Sequence, residues 1–343
     1  MKKLNVKRVA SMPLSQILLF VLIFSALQLL ASKGIIPNSF TYAIGNTLIY
    51  AIVAIGFCLL LGYSGLASLG TAGFIGVGCY VAYYTMESFG LPYIVAFLAA
   101  LLVSVIIGVA VGFISLRVEG LYLAILTLGL SEILRNLLMA IQATVKIDIA
   151  NAKLFGVQLS DGGAYMLVLL TFAVLVWLTS NLINSPTGRA MLAMKNSTSA
   201  AQAMGISLMK FRLLAFVIST VYAAIGGLLY MMYVRVMTTA TSTVLTMTTS
   251  LNILGAVIIG GAKSLWGTTL GAFIVYGIQS MFLSKIPFFQ ENPAFITMLT
   301  GLLIVVVVMF YPGGLVQLFG QLGRSFKTYY RKAKEGIYGK DLG

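Results

Sequence analysis

Residues 91–116 read LPYIVAFLAALLVSVIIGVAVGFISL, an unbroken run without a single charged side chain. A helix rises about 1.5 Å per residue and the hydrocarbon core of a bilayer is about 30 Å thick, so about 20 apolar residues make one crossing. This run is long enough to cross. The same pattern recurs on both sides of it, at 14 to 31, 39 to 61, 66 to 85, 121 to 144, 164 to 184, 211 to 232, 244 to 261, 266 to 284 and 294 to 311, giving ten candidate spans. The third and eighth are rich in glycine and small polar residues and are expected to be broken or re-entrant segments lining a cavity. The chain of 343 residues is 60% hydrophobic and 9% charged, against roughly 25% charged in soluble domains, so lipid must be its main solvent. The expected fold class is all-α, a single polytopic transmembrane helical bundle of about ten spans over residues 1–343.

The net charge of +14 is distributed by topology. Lys2, Lys3, Lys7 and Arg8 precede the first span, and Arg324, Lys327, Arg331, Lys332, Lys334 and Lys340 follow the last. The positive-inside rule places both the N and C termini in the cytoplasm, which an even number of spans allows. Threading ten spans brings Arg117, Arg189, Lys195, Lys210, Arg212 and Lys263 to the same side, and leaves Lys33, Lys146, Lys153, Arg235 and Lys285 outside. Four of the eight acids, Glu87, Asp148, Asp161 and Glu291, also fall outside. The basic start lacks a small-residue cleavage site and is expected to be an uncleaved first helix. The basic tail, residues 320–343, suits the anionic inner leaflet of the membrane lipid. No basic domain with interleaved aromatics is present, which argues against nucleic acid.

With no histidine and two cysteines, Cys58 and Cys79, both in apolar segments, the sequence offers no metal cluster, disulfide framework or catalytic constellation. The run GGAKS at 260–264 is not a phosphate loop, because GxxxxGKS ending at Lys263 would need glycine where Val257 and Ala262 stand. No cofactor is expected on this chain.

One polar connection stands out. SPTGRAMLAMKNSTSAAQAMGISLMKFR, residues 185–212, is the longest cytoplasmic loop of this topology. Ser185 and Pro186 suit an N-cap and first helical position; Ser197, Thr198 or Ser199 could cap a second short helix, which Gly205 could end in the left-handed conformation. The two helices would present Met191, Leu192, Met194, Ala200, Ala201 and Met204 as a mildly apolar surface beside Arg189 and Lys195. Such an element either lies on lipid or binds a partner.

The spacing Ser199-Ala200-Ala201, three residues, Gly205 resembles the cytoplasmic EAA-type loop of ATP-binding-cassette importer permeases, with Ser where the general motif has Glu. The stretches GYSGLASLGTAGFIGVGCY at 62–80, GLYLAILTLGLSEILRNLL at 120–138, SPTGRAMLAMKNSTSAAQAMGI at 185–206, KFRLLAFVISTVYAAIGGLLY at 210–230, LNILGAVIIGGAKSLWGTTLGAF at 251–273 and YPGGLVQLF at 311–319 resemble the branched-chain amino-acid permease family, closest to its M-type subunit. Thr71 stands where that subunit commonly has His. The resemblance implies an ABC importer permease fold and four kinds of partner or solvent: a second homologous permease, two cytoplasmic ATPase subunits that use ATP and receive the 185–212 coupling loop, an extracytoplasmic substrate-binding protein, and lipid. Related importers for urea or short amides, nucleosides or sugars, and a secondary transporter or channel, are the competing readings; the last would want carboxylates along an ion path.

Candidate pathway or gate residues are the polar ones inside spans: Asn46, Ser64, Ser68, Thr71, Glu132, Arg135 and Asn252, with Thr127 and Ser250 beside them. Glu132 and Arg135, at i and i+3, share a helix face and can partly neutralise each other, either as a pathway pair or as a buried structural one. The Gly-rich stretches 62–78 and 255–271 lie at comparable places in the two halves and are candidate gates.

Overall fold

The computed structural model describes residues 13–317, except 35–36, 119, 148–152, 155–156, 159, 240–241, 284–285, 292 and 312. The basic N-terminal cluster, the tail 320–343, Asp148 and Lys285 therefore lie outside the described residues. The chain runs α1 (Pro13–Ser32), α2 (Asn38–Cys58), α3 (Thr71–Tyr83), α4 (Tyr93–Ser115), α5 (Leu121–Ile141), α6 (Asp161–Asn184), α7 (Pro186–Asn196), α8 (Thr198–Ala203), α9 (Leu208–Val234), α10 (Met247–Gly260), α11 (Leu265–Ala272), α12 (Ile278–Met281), α13 (Pro287–Glu291) and α14 (Pro293–Phe310). π-helical turns extend α2 over Leu59–Ser64 and α3 over Tyr84–Ser88, and join α11 to α12 over Phe273–Gly277.

Every one of the ten expected segments contains helix, and among the described residues six helices are long and apolar enough to cross a membrane: Leu14–Ser32, Asn38–Ser64, Tyr93–Ser115, Leu121–Ile141, Asp161–Asn184 and Leu208–Val234. The third segment starts late, at Thr71, after an irregular stretch from Gly65 to Gly70. The eighth, α10, has 14 residues and so reaches only about 21 Å. Among the described residues, two small antiparallel ribbons break the all-helical pattern. Thr144–Lys146 (β1) pairs with Val236–Thr238 (β4), and Lys153–Leu154 (β2) with Val157–Gln158 (β3). The fifth span accordingly ends at Ile141, short of the expected 144, because the backbone beyond it pairs with a strand instead of its own helix.

Burial sorts the helices. α2 lies at the centre, with 89% of its apolar window enclosed, while only 11% of α1 is, so α1 presents Leu18, Leu22 and Leu29 outward as an exposed apolar surface. Apolar burial cannot drive helix pairing in lipid, so close backbone approach does. A Cβ on Gly78 would stand 1.9 Å from the Ala224 carbonyl oxygen, and one on Gly227 would stand 2.0 Å from that of Ile75, so α3 and α9 cross where neither can carry a side chain. α3 and α9 run in the same direction, because Tyr80 near the end of α3 hydrogen-bonds Thr239 just after α9, at 2.6 Å. The 27 residues of α9 thus connect two ends of the bundle about 40 Å apart, one carrying α7 and α8 and the other the β1–β4 ribbon.

Candidate functional site: the 185–206 loop and the broken third span

Residues 185–206 fold into two short helices, as their caps dictate. Ser185 Oγ accepts from Gly188 N at 3.4 Å with Pro186 at the first position of α7, and Ser197 Oγ accepts from Ala200 N at 3.3 Å to open α8. Of the three candidate caps, Ser197 serves. Gly205 closes the pair with φ +78°, where an L side chain would be strained. The apolar surface is smaller than the composition suggests, because Met191, Met194 and Ala201 turn inward and are buried. Apart from Ala201, α8 is exposed throughout, and so are Met204 and Gly205 just beyond it. Arg189 is also exposed, donating to the Asn184 carbonyl at 2.9 Å.

Lys195 does something different. Its Nζ donates to the carbonyls of Leu61 at 3.0 Å and Gly62 at 2.8 Å. These belong to the π turn that ends α2, where the last carbonyls of a helix have no partner of their own. The neighbouring Leu60 carbonyl is taken by the Ser64 hydroxyl and the Gly65 and Leu66 amides, so the lysine supplies what the turn lacks. A cation at a helix C-terminus also meets the negative end of its dipole. Burial, and secondarily the like charge of Lys263, lowers the Lys195 pKa.

The same turn is fastened on its other side. Cys58 Sγ donates to the Ala262 carbonyl at 3.1 Å, Tyr63 Oη donates to that of Lys263 at 3.0 Å, and a Cβ on Gly62 would stand 1.7 Å from the Ala262 oxygen. Lys195 of α7, the end of α2 and the α10–α11 turn at Gly261 therefore form one clasp. Both Gly-rich stretches singled out in the sequence meet in it.

Beyond the clasp the chain enters the bundle without helical hydrogen bonds. Gly65 adopts φ +76°, and residues 65–70 climb to the level of Thr127, about two turns inside α5, before α3 begins. In lipid such backbone is tolerated only where protein satisfies it. Hydroxyls from two other helices do so: Thr127 accepts from Leu69 N at 3.0 Å, Ser131 from Gly73 N at 2.9 Å, and Ser250 from Ala72 N at 3.0 Å. Ser68 Oγ accepts from Gly70 N at 3.3 Å, and Ser68 and Thr71 line a small cavity with Ser219 and Thr220 and the apolar Leu60, Phe74, Phe216 and Ala223.

The structure thus brings Ser68 and Thr71 together around the start of α3, while Ser64 stays at the base, its hydroxyl donating to the Leu60 carbonyl. Asn252 is half-buried on α10, two residues from Ser250. Asn46 sits about two turns from the opposite end of α2, with its buried Oδ1 unpartnered, and is not part of this cluster. Glu132 and Arg135 form an ion pair at 3.2 Å on the flank of α5, with side chains 39% and 25% exposed, so within this chain the pair is not enclosed. Sequence reasoning did not pick out Ser131, although its four-residue spacing from Thr127 puts both hydroxyls on one face. It also passed over the pair of Arg235 with Asp161, at 2.6 Å, whose partners are 74 residues apart.

Residues 39–308 match the family described as branched-chain amino acid transport system / permease component. The chain is 28% identical to the high-affinity branched-chain amino acid transport system permease protein LivM of Salmonella typhimurium over 301 residues, covering 79% of this chain and 68% of that protein. It is 27% identical to LivM of Escherichia coli over the same shares, and 27% identical to a probable branched-chain amino acid transport permease protein LivH of Methanocaldococcus jannaschii, over 72% of this chain and 79% of that one. No solved structure matches it. With long apolar helices packed through glycine crossings and a family match over residues 39–308, this multi-pass membrane protein belongs to the branched-chain amino acid transport system permease family.

Proposed function

We propose that the chain is the permease subunit of an ATP-driven importer of branched-chain amino acids in the bacterial plasma membrane, crossing it ten times with both termini inside. The observation that carries the coupling is the Lys195 clasp: α7, which leads directly into the exposed α8, is joined through two hydrogen bonds to the turn from which the non-helical 65–70 segment rises. An ATPase seated on Ser199, Ala200 and Gly205 would move α7 and α8 as one piece. Lys195 would carry that movement to the ends of α2 and α10, and so to the hydroxyl-held start of α3, the proposed gate.

A half-exposed ion pair on a membrane helix favours a second permease. Charge inside a span costs about 2.5 to 3.5 kcal/mol on insertion scales, so the flank of α5 bearing Glu132 and Arg135 wants protein or water beside it. Pairing two such flanks around an aqueous path supplies both. Two ATPases and an extracytoplasmic binding protein complete the machine, and this chain binds no cofactor of its own. Reconstitution tests the reading: leucine uptake into proteoliposomes holding both permeases should require the ATPases, ATP and the binding protein. Uptake driven by an ion gradient with the ATPases omitted would refute it.

A further inference from the structure

At the end of the bundle remote from α7 and α8, the C-terminal ends of α1 and α9 and the N-terminal ends of α2 and α6 enclose a recess of about 760 Å³, within the size range of small-molecule pockets. Arg235 and Asp161 both line it, joined by a single hydrogen bond of 2.6 Å. Arg235 is the only non-glycine residue with positive φ among the described residues, at +67°. A helix usually ends at such a position with glycine, so a guanidinium there needs a reason. The backbone is fixed on both sides, because Arg235 N donates to the Met231 carbonyl and the Arg235 carbonyl accepts from Ile147 N at 2.8 Å. The side chain is thereby aimed by the β1–β4 ribbon.

The pair is lopsided. Arg235 is mostly buried, with its side chain 22% exposed, while the Asp161 side chain is 91% exposed. Arg235 Nε, a donor, and Gln28 Oε1, an acceptor, are both buried without partners, and both residues line the recess. A rigid cation, an exposed anion beside it and an unused donor and acceptor suit a ligand carrying both signs on adjacent atoms. The stacked rings of Tyr42 and Tyr233, centroids 4.9 Å apart, line the same recess and offer an apolar face for such a ligand's side chain. We propose that this recess is an entry site for a zwitterionic amino acid, its carboxylate on Arg235 and its ammonium on Asp161. The proposal rests on the importer reading only for the side from which the solute arrives.

The test places a thiol in the recess by Ser39→Cys, at an exposed lining position, in the assembled transporter in nanodiscs without ATP. Cys58 and Cys79 are buried and give a low background. Leucine at ten times its Kd should slow labelling by a charged methanethiosulfonate about tenfold. Leucinamide, which lacks the carboxylate, and 4-methylpentanoate, which lacks the ammonium, should protect far less, and Arg235→Gln should abolish protection by leucine. No slowing by leucine, or equal slowing by leucinamide, would overturn the proposal. So would labelling slowed by the unliganded binding protein but not by leucine, which would give the recess to a docking carboxylate of that protein. The ligand series on the single Ser39→Cys chain decides the question even if Arg235→Gln fails to fold. Because no ATP is used, protection without ATP-driven uptake keeps the site and rejects the importer, and uptake without protection does the reverse.

Discussion

Replacing Lys195 by methionine keeps the apolar stem and removes only the ammonium that bridges α7 to the end of α2. Two hydrogen bonds from a charged donor are lost, at 3.0 and 2.8 Å, each worth about 1.5 to 3 kcal/mol when fully desolvated. Lys195 is half-exposed and water can take over part of its role, so the low end of one such bond, about 1.5 kcal/mol, is the reasonable loss for the pair. That corresponds to about a tenfold rise in the population of the opened clasp. A natural reporter sits inside it: Cys58 is buried, and its thiol donates to the Ala262 carbonyl. If opening is fast relative to alkylation, labelling of Cys58 by N-ethylmaleimide should accelerate by the same factor of about ten, read by peptide mass spectrometry against Cys79 as an internal control. In the assembled transporter, leucine uptake per ATP hydrolysed should fall while hydrolysis continues, and Lys195→Arg, which keeps donors in reach, should recover part of both effects. Unchanged Cys58 labelling together with unchanged uptake per ATP would refute the clasp as the transmitting element.

Glycine crossings give a graded series. Gly62→Ala and Gly78→Ala force a Cβ to within 1.7 and 1.9 Å of backbone oxygens and should leave little detergent-stable protein, whereas Gly129→Ala, with nothing within 4 Å, should melt like the parent by scanning fluorimetry. Ser250→Ala and Ser131→Ala each strip one interhelical hydrogen bond from the start of α3 and should lower stability by about 0.6 kcal/mol apiece, with less than additive loss in the double variant because both act on one helix start. Arg135→Met leaves Glu132 unpaired on the flank of α5; uptake should collapse while ATPase binding to α7 and α8 persists, measured by co-purification of the complex.

Helix existence was legible in the sequence because a spanning helix announces itself by length and apolarity alone, and residues 93–115 fall almost where the uncharged run predicts. The two short helices of the loop were legible too, since Ser185, Pro186 and Gly205 act within a turn of their own position. Contacts made across the chain were not. Lys195 could be named as a charge beside the loop, but nothing local says that its ammonium reaches carbonyls 133 and 134 residues away. Thr127 and Ser250 could be named as possible pathway contacts, while their neighbours show their hydroxyls holding the amides of Leu69 and Ala72. The apolar count of the loop overstated its docking surface for a similar reason: Met191 and Met194 pack inward, a choice of face that a helix of three turns does not reveal.

The broken third span and the clasp are one design seen at two depths. A continuous helix from residue 65 would satisfy its own amides and respond to nothing; the chain instead leaves the amides of Leu69, Ala72 and Gly73 to hydroxyls on α5 and α10. Those bonds are individually weak in a membrane, about 0.6 kcal/mol on average, and can exchange partners without unfolding the bundle. The lysine at the base is stronger and charge-assisted. A force applied at α8 therefore reaches the start of α3 through its firm attachment and is resisted there only by its loose ones, so the non-helical segment yields before the clasp does. On the proposed function, that ordering, firm at α7 and α8 and soft at the start of α3, would let an ATPase docked on the loop rearrange backbone inside the bundle.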